Sequence, residues 1–262
     1  MGVTAGVLGV YLTALVAAAG VVIEAEQLGP GNDTPAWRIT FYLEAGKLRM
    51  ETKSAEGEES ITLFDQDKQV VWVIDRIAGT YYEMTPASVQ EMQERLDQAK
   101  KEMEAQLAQM PPEQRQLVEQ MMKQQFGGDV AVTVQERNRG EKVREFVCTR
   151  YEVLSGGARS AEVWVAPLEQ LQLGAQEFEI FLALGRFFAP LGSSAPITQL
   201  GGRLAWEQGG DQMEGFPVRS LTYDEERVVA EERVVRAERR SLEATLFELP
   251  SGLRKTELGQ EE

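Results

Sequence analysis

The feature that most constrains the fold is a change of hydrophobic period at Thr85. Before it, short runs of alternating apolar and polar residues are separated by turn residues. In 37–43, Trp37, Ile39, Phe41 and Leu43 share one face of a predicted strand. Period-two alternation of this kind is typical of antiparallel sheet. It predicts strands over 20–27, 37–43, 48–53, 61–64, 70–74 and 81–84.

After Thr85 the apolar residues recur at spacings of three and four, which predicts a helix. Thr85 is a suitable N-cap, Pro86 suits the first helical position, and Pro111-Pro112 ends the helix. A second helix is predicted over 113–126, so a helical hairpin over 86–126 interrupts the sheet. Its apolar positions are Val89, Met92, Leu96, Ala99, Met103, Leu107, Met110, Leu117, Val118, Met121, Met122 and Phe126.

Strand patterns resume after the hairpin, at 130–134, along one long strand over 142–154, and at 158–165. The apolar stretch 178–188 predicts a buried helix that ends at Pro190, followed by a loop over 191–202 and a short strand over 203–207. A last hairpin is predicted over 216–224 and 227–240. The repeat Glu-Glu-Arg-Val-Val, at 225 and again at 231, leaves a charged helix open there. A helical turn over 242–247 and a disordered tail over 256–262 complete the prediction.

These elements predict an α+β fold in one domain over residues 20–255. We expect a single curved antiparallel sheet, an incomplete β-barrel of about ten or eleven strands. The helical hairpin and the further helix are expected to lie over its concave side.

Residues 1–19 are predicted to be a cleaved signal peptide. Residues 7–16 form an apolar stretch, Ala17-Ala18-Ala19 offers small residues for a peptidase, and the first charged residue is Glu24. The stretch lacks the expected Lys or Arg, so a retained membrane anchor stays open as the alternative. Either alternative implies export, to the periplasm or outside the cell.

Charge and composition exclude several function classes. The 42 acidic residues outnumber 27 Lys and Arg, and the net charge of −15 disfavours nucleic acids and anionic membranes. Histidine is absent, which removes Ser-His and Cys-His nucleophile pairs and the usual zinc sites. Cys148, the only cysteine, permits no internal disulfide, and we expect it to be a small buried side chain.

Several short motifs, taken in their order, resemble a known family. They are Gly46-Lys47-Leu48-Arg49-Met50-Glu51, Tyr81-Tyr82, Pro111-Pro112-Glu113-Gln114-Arg115, Cys148-Thr149-Arg150-Tyr151-Glu152-Val153, Glu162-Val163-Trp164-Val165 and Phe247-Glu248-Leu249-Pro250-Ser251-Gly252. Together they resemble an exported bacterial family of unknown function, family 4412 (DUF4412), which is similar to the LolA/LolB lipoprotein carriers. The resemblance implies a half-barrel with a concave apolar surface able to hold an acyl chain, and no catalytic residues.

Two sets of residues are candidates for binding a hydrophobic ligand. Met-rich helix faces adapt to varied apolar ligands, and strand aromatics can line a pocket. Both patterns also arise from ordinary core packing, which is the more common outcome. The candidates are Trp37, Phe41, Trp72, Met92, Leu96, Met103, Met110, Met121, Met122, Phe126 and Trp164.

The acidic residues form no recognisable metal or catalytic motif. Asp65 and Asp67 lack the rest of a calcium loop and fit a hairpin turn better. Phosphate-binding glycine loops and the G-x-S-x-G elbow are absent. We therefore expect no metal, no cofactor and no enzymatic activity, with a paired-carboxylate hydrolase as a remote alternative.

The expected function is a carrier or binding module for a lipid, acyl chain or other hydrophobic ligand. The alternative is a protein-interaction or stress-sensing module of the cell envelope that holds no small ligand.

Overall fold

The computed structural model describes residues 19–44, 46–111, 131–194 and 213–257. They form one large, unclosed sheet of twelve strands in the order β12-β6-β5-β4-β3-β2-β1-β11-β10-β9-β8-β7, with two α-helices. Neighbouring strands are antiparallel, except that β12 pairs with β6 in parallel. The predicted leader up to residue 18, the second helix of the hairpin and the strand over 203–207 lie outside the described residues.

The strand bounds follow the predicted alternation closely in the first half of the chain. The strands are β1 Ala19–Leu28, β2 Pro35–Glu44, β3 Lys47–Ser54, β4 Glu59–Asp65, β5 Val70–Asp75, β6 Thr80–Met84, β7 Val132–Val143, β8 Phe146–Ser155, β9 Ala158–Ala166, β10 Phe216–Asp224, β11 Arg227–Ser241 and β12 Arg254–Lys255. The predicted final hairpin is confirmed as β10 and β11, so the alternative of a charged helix is wrong.

Register places apolar residues in rows across β3 to β6. Leu48 lies opposite Phe64, Phe64 opposite Val71, and Val71 opposite Met84, and all four are buried. Because opposite residues in antiparallel strands point to the same face, this row defines what we call the inner face of the sheet. The main hydrophobic core lies on this face.

Helix α1, Pro86–Gln109, begins and ends where the sequence predicts. The Thr85 hydroxyl accepts a hydrogen bond from the Ser88 backbone N–H, and the Ser88 hydroxyl accepts one from the Thr85 backbone N–H. This capping box satisfies N–H groups that have no partner within the helix. Only its ends are well buried: Val89 is 1% exposed and Leu107 is 7% exposed. The helix therefore contacts β6 and a short 3-10 turn, Ala189–Ser194, without covering the sheet.

Helix α2, Ala175–Phe188, is the helix that covers the inner face. The sequence predicts it over 178–188, and the observed helix begins three residues earlier because Glu177 accepts from the Gly174 backbone N–H at 2.9 Å. Burial of each large apolar side chain contributes roughly 1.5–3 kcal/mol. The buried residues are Ile180, Phe181, Ala183, Leu184, Phe187 and Phe188.

The C-terminal segment crosses the opposite, outer face. A 3-10 turn, Ala244–Phe247, confirms the predicted helical turn over 242–247. Leu249 and Leu253 pack on Ile61, Leu63 and Ile74. The Thr256 N–H donates to the Tyr81 carbonyl at 2.8 Å, so the predicted disordered tail does not begin at 256; residues 258–262 lie outside the described residues.

The predicted long strand over 142–154 is wrong. The chain reverses at Arg144 and Glu145, and Val143 pairs with Phe146 across a two-residue turn. Two-residue hairpin turns require positive φ, which usually selects Gly or Asn. Here Arg144 takes φ +53°, so the sequence carries no turn signal at this position.

The edge strand β7 is long and exposed, yet irregular. Its pairing with β8 shifts register between Glu136 and Asn138 and again between Arg139 and Glu141. Bulges and charged residues interrupt the row of free backbone groups that another chain would need for pairing. The short parallel strand β12 covers the other edge.

The core should depend strongly on the phenyl ring of Phe181. Its centroid lies 5.6 Å from that of Phe41 and 5.4 Å from that of Phe216, and it joins α2 to two strands. We expect Phe181→Ala to lower the free energy of unfolding by about 3–5 kcal/mol, measured by urea denaturation. Ile77→Ala, at a side chain 74% exposed in a turn, is the control and should change it by less than about 0.5 kcal/mol.

Candidate ligand site

The sheet splits between β10 and β11. The two strands pair from Arg219 opposite Arg233 down to Asp224 opposite Arg227. Beyond Arg219, residues 216–218 stay with β9, whereas β11 continues along β1 to Ser241. The hydrogen-bonded ladder therefore ends at the Arg219–Arg233 pair, and a wedge opens above it.

This wedge forms what we call the β10–β11 cleft, of about 390 Å³ counted out to open solvent. The enclosed room at its base is far smaller and holds about one water molecule. The lining is mostly apolar with a charged rim: Ala25, Glu26, Ile39, Phe41, Phe216, Pro217, Val218, Arg219, Ser220, Glu232, Arg233 and Val234.

The floor of the cleft is the aromatic cluster that holds α2. Phe41 and Phe216 line the cleft, and the ring of each packs edge-to-face with that of Phe181. Edge-to-face packing of this kind is favourable for aromatic rings. The cleft is thus a path from the surface to the part of the core that α2 fills.

The rim carries paired charges. The Arg219 Nε donates to Glu231 at 2.8 Å, and its guanidinium carbon lies 4.8 Å from the ring centroid of Trp164. The Arg233 Nη2 donates to Glu26 at 3.1 Å. The Arg233 Nε is buried and has no hydrogen-bond partner.

Arg239 secures the N-terminal end of α2 to the sheet. Its guanidinium donates to the carbonyls of Ala19 and Gln172, at 3.0 and 2.9 Å, and to Glu177 at 2.9 Å. Burial raises the pKa of Glu177, but hydrogen bonds from Arg239 and from backbone N–H groups outweigh it and hold the pKa below 4.5. Arg239 of β11 therefore joins β1 and the start of α2 at one point, which lies beyond the open part of the cleft. We call this set of hydrogen bonds the clamp.

The predicted aromatic residues are only partly brought together. Phe41 lines the cleft, and Trp37 is half-buried four positions earlier on the same face of β2. Trp164 is buried in the main core and its indole N–H donates to Glu141 at 2.7 Å.

Trp72 does not belong with them. It pairs with Leu63 and Glu83, and its indole N–H donates to Glu83 at 2.9 Å. Like Leu249, it packs against the buried cluster around Leu63 on the outer face. The prediction that it lines the same surface as Phe41 is wrong, because both faces of β5 are apolar.

The predicted methionine face of α1 lies away from the cleft. Met92 is half-buried against the main core, whereas Leu96 is 40% exposed. Met103 and Met110 are half-buried, and Met121, Met122 and Phe126 lie outside the described residues. The part of α1 with Met92 and Leu96 does not line the space that the sequence assigned to it, because α2 occupies the inner face.

Sequence reasoning missed most of the residues that line the cleft, among them Phe216, Val218 and Val234. Their alternation predicts strands, but the divergence of β10 from β11 is a tertiary event. A bulge between Pro217 and Arg219, where β10 pairs with β9, accompanies it. Pro217 is the one local signal, since proline in a strand favours an edge or a bulge.

Cys148 matches its prediction as a buried side chain, 1% exposed. Burial raises the pKa of its thiol to about 11, so the reactive thiolate is scarce near neutral pH. Within residues 19–44, 46–111, 131–194 and 213–257, no group of three or more Cys, Asp or Glu is placed to hold a metal ion. No helix in the described part of the chain is long and apolar enough to cross a membrane.

The clamp at Glu177 should make stability depend on pH. A carboxyl group with a lowered pKa in the folded state stabilises it above the ordinary pKa, and the effect is lost as the pH falls. We expect Glu177→Gln to lower the free energy of unfolding by roughly 1–2 kcal/mol at neutral pH and by much less at about pH 3.5.

Urea denaturation at both pH values measures this difference. Glu179→Gln is the control, since Glu179 lies on the same helix in an exposed pair with Arg186. An equal loss at both pH values in Glu177→Gln would contradict the role of its charge.

No known protein family matches the sequence, and neither does any curated protein. Among solved structures, the chain is similar to PNGF-II, solved in the C2 space group, with a TM-score of 0.40 and 9% sequence identity. The match covers 91% of this chain and 31% of the PNGF-II chain, so this chain spans about a third of that length.

Proposed function

We propose that the protein is a non-catalytic cell-envelope protein, periplasmic or secreted, that binds a lipid, acyl chain or other hydrophobic ligand in a concave half-barrel. The observation that carries the proposal is the β10–β11 cleft, which leads from the surface to the Phe41–Phe181–Phe216 cluster. Apolar lining with a few polar groups at the rim is typical of small-molecule sites. The resemblance to the family related to lipoprotein carriers points the same way.

The ligand enters by widening the cleft. The enclosed room holds about one water molecule, too little for an acyl chain. The β10–β11 ladder already ends at Arg219, so strands can separate above it without breaking hydrogen bonds between them. Phe181 is the side chain that an incoming chain displaces.

The described carboxyl groups favour binding over catalysis. A general acid near neutral pH needs a raised pKa. Here burial opposes the shift in Asp65 and Glu177, but hydrogen bonds from neighbouring side chains or backbone still hold each shifted pKa below its ordinary value. The groups are Glu59, Asp65, Glu83, Glu136, Glu141 and Glu177.

Native mass spectrometry and solvent extraction of the purified protein test for a bound lipid directly. In addition, we expect the delipidated protein to bind the neutral fluorescent probe N-phenyl-1-naphthylamine saturably. Val234→Trp, which fills the cleft, should weaken that binding by about tenfold. Val229→Trp, on the same strand at a position 39% exposed and outside the cleft, is the matched control and should leave it unchanged.

Thermal melts of both variants show whether the fold survives the larger side chain. Protein that is empty as purified and that fails to bind the probe would overturn the proposal. Equal probe binding by the wild-type protein and Val234→Trp would move the site away from this cleft.

The second candidate is an interaction or stress-sensing module of the envelope that holds no small ligand. It is favoured by α1, where Leu96 is 40% exposed and its neighbours along the helix, Met92 and Met103, are only half-buried. Exposed apolar residues along one helix face suit a protein partner.

For this candidate we expect Leu96→Glu to release proteins that co-purify from envelope extracts, without any loss of bound lipid. Glu94→Gln, at an exposed position on the same helix, is the control. Loss of lipid in Leu96→Glu would instead link α1 to the ligand site.

A further inference from the structure

The charges at the narrow end of the β10–β11 cleft, where Arg219 faces Arg233, fit one chemical class of ligand. We propose that the cleft binds a single-chain amphiphile with a carboxylate headgroup. The chain lies on Ile39, Phe41 and Phe216, and the carboxylate lies between Arg219 and Arg233. This inference rests on the proposed function, and it adds the headgroup and its position.

The first argument is the placement of two cations. Arg219 and Arg233 are direct cross-strand partners at the last rung of the β10–β11 ladder. Like charges directly opposite each other destabilise a strand pair. Each arginine already has one glutamate partner, Glu231 on β11 for Arg219 and Glu26 on β1 for Arg233. An anion bound by both guanidinium groups would further relieve their repulsion.

The second argument is an unused donor. A guanidinium group carries five N–H donors, and a buried donor without an acceptor is costly. The Arg233 Nε is buried and lacks a partner, and its residue lines the cleft. Arg219 is held in place by Trp164, against whose ring its guanidinium lies at 4.8 Å.

The third argument limits the headgroup to one negative charge. Glu26 and Glu232 also line the cleft, and Glu231 binds Arg219 at its rim. A phosphate monoester with nearly two charges meets repulsion from these three carboxylates. A carboxylate is planar, carries one charge, and matches the fork of an arginine side chain.

The fourth argument is that charged and apolar side chains line the same cleft. Val218 precedes Arg219 in sequence, and Val234 follows Arg233. Both valines are buried in the main core and line the cleft. An amphiphile in this cleft can therefore place its headgroup on the arginines and its chain on the apolar lining. We therefore expect the site to bind amphiphiles and to have low affinity for a short polar carboxylate such as acetate.

Isothermal titration calorimetry of the delipidated full chain at pH 7.5, below micellar concentrations, tests the proposal with three probes of equal chain length. These are dodecanoate, dodecan-1-ol and dodecyltrimethylammonium. We expect dodecanoate to bind about tenfold more tightly than dodecan-1-ol, since it adds charge-assisted hydrogen bonds. Dodecyltrimethylammonium should bind most weakly.

Arg233→Met and Arg219→Met should each remove the preference for dodecanoate over dodecan-1-ol while leaving dodecan-1-ol binding within about twofold. Two variants are used because one of them, by freeing its glutamate partner, can lower stability. Arg38→Met is the matched control: Arg38 also faces Glu26, at 3.9 Å, but is 72% exposed and outside the cleft. It should keep the full preference.

The outcomes separate the two proposals. Equal affinity of the wild-type protein for dodecanoate and dodecan-1-ol overturns the carboxylate inference and leaves the hydrophobic site standing. Failure of all three probes to bind overturns the proposed function as well. A preference that survives in both arginine variants places the carboxylate elsewhere and overturns the assigned position.

Discussion

A sheet of twelve strands exposes a large apolar face, and covering that face is the constraint on which the rest of this structure depends. Helix α2 covers this face, and its buried phenylalanines contact strands from both halves of the sheet. Phe181 reaches Phe41 on β2 and Phe216 on β10, and Phe187 lies 5.8 Å from Phe64 on β4. Arg239 then holds the start of this helix to β11 and to the first residue of β1.

The split between β10 and β11 follows from the same arrangement. The segment between β9 and α2 must pass from the end of β9 to the inner face of the sheet. Its residues Leu171 and Leu173 are buried in the main core, and Gln172 binds Arg239 of β11. The upper half of β11 thus meets this segment instead of β10. The cleft is the space left between β10 and β11, from the Arg219–Arg233 pair to the contact between Gln172 and Arg239.

The sequence predicts local structure better than it predicts which surfaces meet. The alternation in β2 and the capping of α1 by Thr85 are local, and both agree with the structure. The turn at Arg144 escapes detection because an arginine adopts a backbone conformation that usually marks glycine or asparagine. Trp72 is assigned to the wrong face because an apolar run without alternation does not tell one face from the other. The cleft residues are missed because strand divergence depends on pairings distant in sequence.

The irregular edge strand β7 has a mechanical consequence. A closed barrel resists local opening, because separating two strands strains a continuous ring of hydrogen bonds around its circumference. An open sheet has no such ring, but it has two edge strands that could pair with other chains. Here the bulges of β7 and the short strand β12 disfavour such pairing. In the described part of the chain, separation of β10 from β11 above the Arg219–Arg233 pair therefore strains no closed ring of hydrogen bonds.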